Sequence, residues 1–244
     1  SVTTDKFASN ATLTTTGTVT TQGTGTTGGT ITLENTDTSG SNGDFLGKIN
    51  FKGNDSSSSA SGTRAAIEAK VVSNFGSTEL HFKTAGSGAS ATDAMVIDSA
   101  GHVTKPLQSA FQATPSGTQS NIATSSNVQI EFGTERFDVN GDFASHTFTA
   151  PVTGKYQLNA QLRFQSVDTA ADYYQLRLAT SNRTYGPLID PGPFGSDPEY
   201  WNISFSVVAD MDANDTAIVS LRQQGGTQQT DIDDASHFSG CLLA

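Results

Sequence analysis

Apolar side chains fall on every second residue from Tyr156 to Phe164: Tyr156, Leu158, Ala160, Leu162 and Phe164 alternate with Gln157, Asn159, Gln161 and Arg163. A period of two sorts the two sets onto opposite sides of an extended backbone, so a strand with one buried and one wet face is expected. Strand-like runs recur at 128–132, 144–150, 155–165, 173–180, 201–209, 217–223 and 238–243, with turn-forming residues between them. Several strands at this spacing predict an antiparallel β-sandwich.

Upstream the pattern breaks into shorter pieces. Residues 11–30 form a Thr/Gly tract, ATLTTTGTVTTQGTGTTGGT, in which Thr favours extended backbone and Gly supplies turns. Short extended runs follow at 45–51, 67–72, 80–83 and 95–97; in the first, Phe45, Gly47, Ile49 and Phe51 share a face. DTSGSNGD, GNDSSSSASG and TAGSGASAT separate these runs and have loop compositions. The helical pattern of RAAIEAKV at 64–71 is weak, and its turn-rich, β-branched surroundings make it a strand. The change of texture at Lys105 and Pro106 sets a boundary at about Thr104, with 1–104 a fibrous β shaft region and 105–244 a sandwich-type knob.

Aromatic content sharpens this division. Of the chain's 14 Phe, 5 Tyr and 1 Trp, residues 1–104 hold only Phe7, Phe45, Phe51, Phe75 and Phe82. A region so poor in large apolar groups does not offset its own chain entropy, so it is expected to be disordered or completed by other chains. The formal charge is −11, with six basic against nine acidic residues before residue 105 and seven against fifteen after it. Such a surface repels phosphate backbones and anionic lipid; no nucleic-acid partner is expected, and divalent cations stay open. Cys241 is the sole cysteine and lies in an apolar run, so neither an intrachain disulfide nor a cysteine-based metal site is expected. No apolar run reaches the roughly 18 residues of a spanning helix, and no membrane insertion is expected.

Two segments carry a family resemblance. FTAPVTGKYQL at 148–158 has the F-x-A-P-x-x-G-x-Y core of C1q/TNF-like domains, and HFSGCLLA at 237–244 resembles their terminal strand. VVADMDANDTAIVSL stands where members have a strand, a Gly-Asp turn and a second strand, with Asn214 and Asp215 in place of Gly-Asp. The resemblance spans roughly residues 110–244. It implies a jelly-roll knob that assembles as a homotrimer for binding, with Tyr156, Phe238 and Leu242 as interface candidates. In place of a collagen-like stalk, LENTDTSGSNGDFLGKINFKGND, RAAIEAKV and AMVIDSAGHV resemble the strand–turn modules of tailed-phage tail fibres. Val96 and His102 depart from the R-I-D-S-S-G-N-V form of the last piece.

Candidate chemistry is sparse. Gly23, Gly25 and Gly28 satisfy G-x-G-x-x-G, but a dinucleotide site needs a buried strand before it and a helix after it, so these read as turns. Asp210, Asp212 and Asn214 open like a calcium loop, yet Asp215 replaces the required Gly and Leu221 the bidentate Glu, which leaves a tight acidic turn. Asp231, Asp233 and Asp234 form an oxygen-rich group of the sort calcium binds, with a solvated acidic loop as the alternative. The family resemblance adds weight to calcium, since some such trimers hold it near their apex. Asp190, Asp197 and Glu199 are carboxylates near aromatic residues, but the chain does not spell the long parallel β-helix on which paired-carboxylate glycosidases of fibres sit. His81, His102, His146 and His237 have no motif context, and no catalytic residue is expected.

From Tyr185 to Trp201 the chain reads YGPLIDPGPFGSDPEYW and holds four of its seven prolines. Proline stiffens a loop before it binds, and aromatic faces suit sugar rings and protein hot spots. Tyr185, Asp190, Phe194 and Tyr200 are therefore the receptor-binding candidates, with Trp201 starting the next strand inside the core. Alternating the direction of successive long strands puts 150–154, 182–200 and 223–237 at a distal tip, and 167–172 and 210–215 at the end where the chain enters. The expectation is a non-enzymatic virion fibre or appendage protein on the virion surface. Its knob would bind a host cell-surface sugar or protein, and its N-terminal end other virion proteins. A structural decoration or connector spike and a bacterial surface C1q-like protein are the alternatives.

Overall fold

The computed structural model describes residues 20–23, 28–73 and 76–244. Most of the Thr/Gly tract and the centre of the 23–28 motif lie outside the described residues. The strands are β1 (Phe45–Gly53), β2 (Gly62–Val71), β3 (Thr78–Thr84), β4 (Thr92–Ile97), β5 (Val103–Thr104), β6 (Ala110–Thr114), β7 (Val128–Gln129), β8 (Thr134–Val139) and β9 (Phe143–Ala144). They continue with β10 (Thr147–Thr149), β11 (Gly154–Gln165), β12 (Ala171–Thr180), β13 (Thr184–Tyr185), β14 (Leu188–Ile189), β15 (Tyr200–Met211), β16 (Thr216–Gly225), β17 (Asp231–Ile232) and β18 (His237–Leu242). The one helical element among the described residues is a 3₁₀ turn at Gly192–Phe194. RAAIEAKV is the body of β2, a strand.

Three sheets result: β1-β2-β3-β4-β5; β15-β11-β18-β6-β8 with β17 beside β11; and β13-β12-β16-β10-β9 with β14 on β12 and β7 on β16. The chain divides into two compact units, one of Ser1–Ala91 and Ile97–His102, the other of Thr92–Val96 and Val103–Ala244.

In the first unit the antiparallel register of β1, β2 and β3 sorts side chains by chemistry. Ile49, Ile67 and Phe82 stand opposite one another, flanked by the rows Phe51–Ala65–Thr84 and Gly47–Ala69–Leu80. The opposite face carries the rows Lys48–Glu68–His81 and Asn50–Ala66–Lys83. One face is therefore uncharged and largely apolar, the other polar. Leu33 lies over Gly47, but the rest of the apolar face is in part open: Ile49 is 46% exposed and Phe51 is 55% exposed. Ala66 and Val71 are the only buried apolar side chains among the described residues of this unit, so those residues form no core.

The second unit has one. β11 buries Tyr156, Leu158, Ala160, Leu162 and Phe164 on one face, as its alternation requires. These meet Tyr174, Leu176 and Leu178 of β12 and Ala217, Val219 and Leu221 of β16 across the sandwich. Phe111 stacks on Phe143 at 4.9 Å and on Phe148 at 4.7 Å, and Phe238 meets Phe111 edge-on at 4.9 Å. Each buried Phe contributes about 2–3 kcal/mol of apolar transfer before entropy is counted. A Cβ on Gly240 would press on the Phe111 ring at 2.9 Å, so the Ser-Gly step in β18 is set by close packing. β11, β12, β15, β16 and β18 lie alternately in the two sheets, so each connection crosses the sandwich. That winding makes the unit a jelly roll.

The ends of the sandwich differ from the expected arrangement. Where the chain enters, Leu242 N donates to Ser109 O at 3.0 Å, Asn214 N to Ala150 O at 2.8 Å, and Asn182 Nδ2 to Asp215 Oδ2 at 2.9 Å. So 150–154, 182 and 210–215 share that end. At the far end Ser166 N donates to Glu199 O at 2.9 Å and Ile122 N to Thr230 O at 2.8 Å, which puts 166–171 beside 190–200 and 225–237. The expectation failed because 182–200 is not one loop. β13 pairs with Leu178 and Ala179, and β14 with Tyr174 and Gln175, so the chain runs back along β12. β12 and β15 then point the same way. Gly186, at φ 139°, permits this return, since a Cβ there would overlap the Leu176 carbonyl.

Candidate binding surface at the far end of the jelly roll

Local chemistry builds an aromatic ledge at the far end. Pro191 and Pro193 fix the entrance of the 3₁₀ turn, and Gly195 at φ 73° closes it, with its N–H reaching Gly192 O at 3.4 Å. Asp190 Oδ1 accepts from Gly192 N at 2.9 Å and holds the first bend. Phe194, at the end of the turn, packs its ring 4.6 Å from that of Trp201, with 47° between the planes. Trp201 is 38% exposed and Tyr200 is 57% exposed. Asp197 anchors the loop to the neighbouring connection, accepting from Thr169 Oγ1 at 2.6 Å, Thr169 N at 2.9 Å and Gln229 Nε2 at 3.1 Å. The Thr169 hydroxyl, then its amide, then Gln229 hold the Asp197 carboxyl below the usual value.

An ion pair with one buried end lies near Tyr200. Arg163 projects from the outer face of β11, its Cζ 6.0 Å from the centre of the Tyr200 ring. Its guanidinium pairs with Asp233, which is 1% exposed, and Gln165 Nε2 adds a hydrogen bond to the same carboxylate at 2.9 Å. Burial pushes the Asp233 carboxyl up; Arg163, the Ala235 amide and Gln165 outweigh it, and the net shift is downward. The contact with Asp233 raises Arg163 in turn.

The structure separates several residues that the sequence grouped. Tyr185 sits on β13 against Leu178, half-buried against the core and toward the end where the chain enters, so it does not join Phe194 at the far end. Trp201, expected in the core, is instead the exposed partner of Phe194. Asp231, Asp233 and Asp234 do not converge on a shared point. Asp231 Oδ1 accepts from Asn121 N at 2.7 Å, Asp233 is engaged by Arg163, and Asp234 faces water. Among the described residues no group of three or more His, Cys, Asp or Glu side chains is placed to hold a metal ion. At 210–215, Asp215 Oδ2 accepts from Asp212 N at 2.9 Å, with Asn214 at φ 74°: a tight acidic turn.

Tyr156 and Phe238 are fully buried inside one chain and have no surface left for a partner. Their alternation partners face outward instead. The Tyr156 hydroxyl donates to Val152 O at 2.7 Å, and burial raises its pKa. Leu242 is only partly buried, packed against the edge of the core. The outward face of the β15-β11-β18 sheet is polar, with Ser206 Oγ donating to Asn159 Oδ1 at 2.8 Å and Gln157 Nε2 to Ser206 Oγ at 2.6 Å.

The strand order and crossing connections define a jelly-roll β-sandwich. No protein-family model matches the chain, and no curated protein sequence does. Among solved structures, the globular domain of zebrafish complement 1qA is similar at 16% identity, over 56% of this chain and 98% of that one, with a TM-score of 0.43. Murine APRIL at pH 8.0 is similar at 12% identity, over 56% and 99%, with a TM-score of 0.42.

Proposed function

We propose that this chain is a non-enzymatic fibre-type protein that works as a homotrimer, with the jelly roll as the knob that binds a host cell-surface receptor. One observation carries the reading: the first unit has an uncharged sheet face with Ile49 and Phe51 about half exposed, and its described residues form no core. Apolar groups aligned in this way on a sheet need a cover. The second unit fills its own core, so further copies of the first unit are the natural cover. A fibre built this way carries its jelly rolls side by side, and the part-exposed ledge of Phe194 and Trp201 at the far end of each is the receptor-binding surface. On a virion, the N-terminal region attaches to other virion proteins.

Sedimentation equilibrium of the whole chain at micromolar concentration tests the assembly, with a trimer mass expected. A monomer mass with both units folded removes this reading. Fluorescently labelled protein added to candidate host cells tests the adhesive role, and adsorption that is indifferent to Trp201→Ala removes the ledge from it.

A further inference from the structure

The charged face of the first unit holds a groove of about 520 Å³, within the size range of small-ligand sites. Lys48, Asn50, Thr63, Glu68, Lys83 and Ser90 are among its walls, and all of its lining lies in that unit. Two loops shape its rim. Gly88 N donates to Ser59 O at 3.1 Å, and Arg64 Nη1 donates to Ala89 O at 3.0 Å while Nη2 reaches Gly86 O. At its floor Glu68 is 8% exposed, with Lys83 Nζ at 3.1 Å and Lys48 Nζ at 3.8 Å from its two oxygens. Both ammonium groups thus share the one carboxylate.

We infer that this groove binds a carboxylated saccharide. Three basic side chains, Lys48, Arg64 and Lys83, face one acidic side chain in a chain of net charge −11, so the groove attracts an anion that the rest of the surface repels. Its walls offer hydroxyls, an amide and peptide groups and no aromatic side chain, which suits a ligand dense in hydroxyls rather than an apolar one. Lys48, with a side chain 37% exposed, is the basic group placed for the ligand carboxylate, and the wall residues Asn50, Thr63 and Ser90 supply partners for sugar hydroxyls. Phosphate fits less well. Arg64, the residue suited to grip it bidentately, is committed to the carbonyls of Gly86 and Ala89. The groove is built wholly from residues of the first unit and the aromatic ledge from residues of the second. It depends on the proposed assembly only in that the apolar face packs inward and leaves the charged face in water.

Isothermal titration of the whole protein with tetragalacturonate, an α2,8-linked sialic acid trimer, uncharged galactotetraose and inorganic phosphate tests this. At least one acidic probe should bind, with galactotetraose and phosphate at least about tenfold weaker, the worth of one charge-assisted contact. Lys48→Gln should weaken the acidic probe about tenfold, and Lys48→Arg should restore most of it. Trp201→Ala should leave it unchanged, so that loss of adsorption at the ledge and failure of the groove are read separately. The sedimentation mass and circular dichroism of each variant guard against misfolding. Failure of both acidic probes overturns the inference, as does phosphate binding as tightly as they do, or the same affinity in Lys48→Gln.

Discussion

Replacing Phe51 with Ser is the sharpest probe of the assembly. Phe51 is 55% exposed in one chain, and a Phe side chain presents on the order of 200 Å², so roughly 110 Å² awaits a cover. At about 25 cal/mol per Å² that is roughly 2–3 kcal/mol per chain, an upper value because the separated chains bury part of this surface themselves. Taking about 2 kcal/mol for each of three chains gives roughly 6 kcal/mol per trimer, about four powers of ten in its dissociation constant. The concentration at half dissociation follows the square root of that constant, so Phe51→Ser should raise it about a hundredfold. Sedimentation velocity over a dilution series reads this directly. Asn50→Ser, one residue away on the opposite face, is the control and should leave the midpoint in place. The jelly roll, with a separate core, should melt at the same temperature in both variants. A Phe51→Ser midpoint within a few-fold of the parent's would refute the assignment of this face to the trimer.

Other substitutions divide along the same lines. Phe238→Ala should lower jelly-roll stability by about 3–5 kcal/mol in chemical denaturation, because it opens a cavity beside Phe111 rather than an interface. Arg163→Met leaves the Asp233 carboxylate without its counter-charge and should lower stability in chemical denaturation. The Asp233 carboxyl lies below its unfolded value of about 4, so its stabilisation is complete above that pH and fades as acid carries the protein through the lower folded value; Arg163→Met should unfold at a higher pH in an acid titration followed by circular dichroism. Trp201→Ala should remove most cell adsorption, measured by flow cytometry, while the trimer mass stays unchanged. A chelator should not shift the melting temperature, because Asp233 already has Arg163 as its cation and Asp231 holds the Asn121 amide.

What the sequence revealed, and what it hid, follows from the range of each signal. Alternation is local, so β11 and β16 could be read from their own residues and β2 from its turn-rich flanks, and so could the poverty of apolar groups in the first unit. Register is not local. Nothing within 45–53 says that Ile49 will face Ile67 and Phe82, yet that pairing turns a thin scatter of hydrophobic residues into one continuous face. The same limit governs the site. The prolines of 185–201 marked a stiff segment but hid β13 and β14, two residues each and too short to show a period, and these decide which end receives each loop. Tyr185 was lost from the ledge for that reason, and 150–154 changed ends with it. Trp201 was misjudged for a related one. Its place in the β15 alternation is inward, opposite Phe164, but it stands at the strand's first turn toward the far end, where Phe194 covers it only in part. The acidic group failed by count. Asp231, Asp233 and Asp234 lie close in sequence, but β17 ends between them, and only a residue 70 positions away, Arg163, reveals that one of the three was already neutralised. Charge density in sequence is therefore a poor guide to a cation site when a strand end scatters the carboxylates and a basic side chain from the neighbouring strand reaches one of them first.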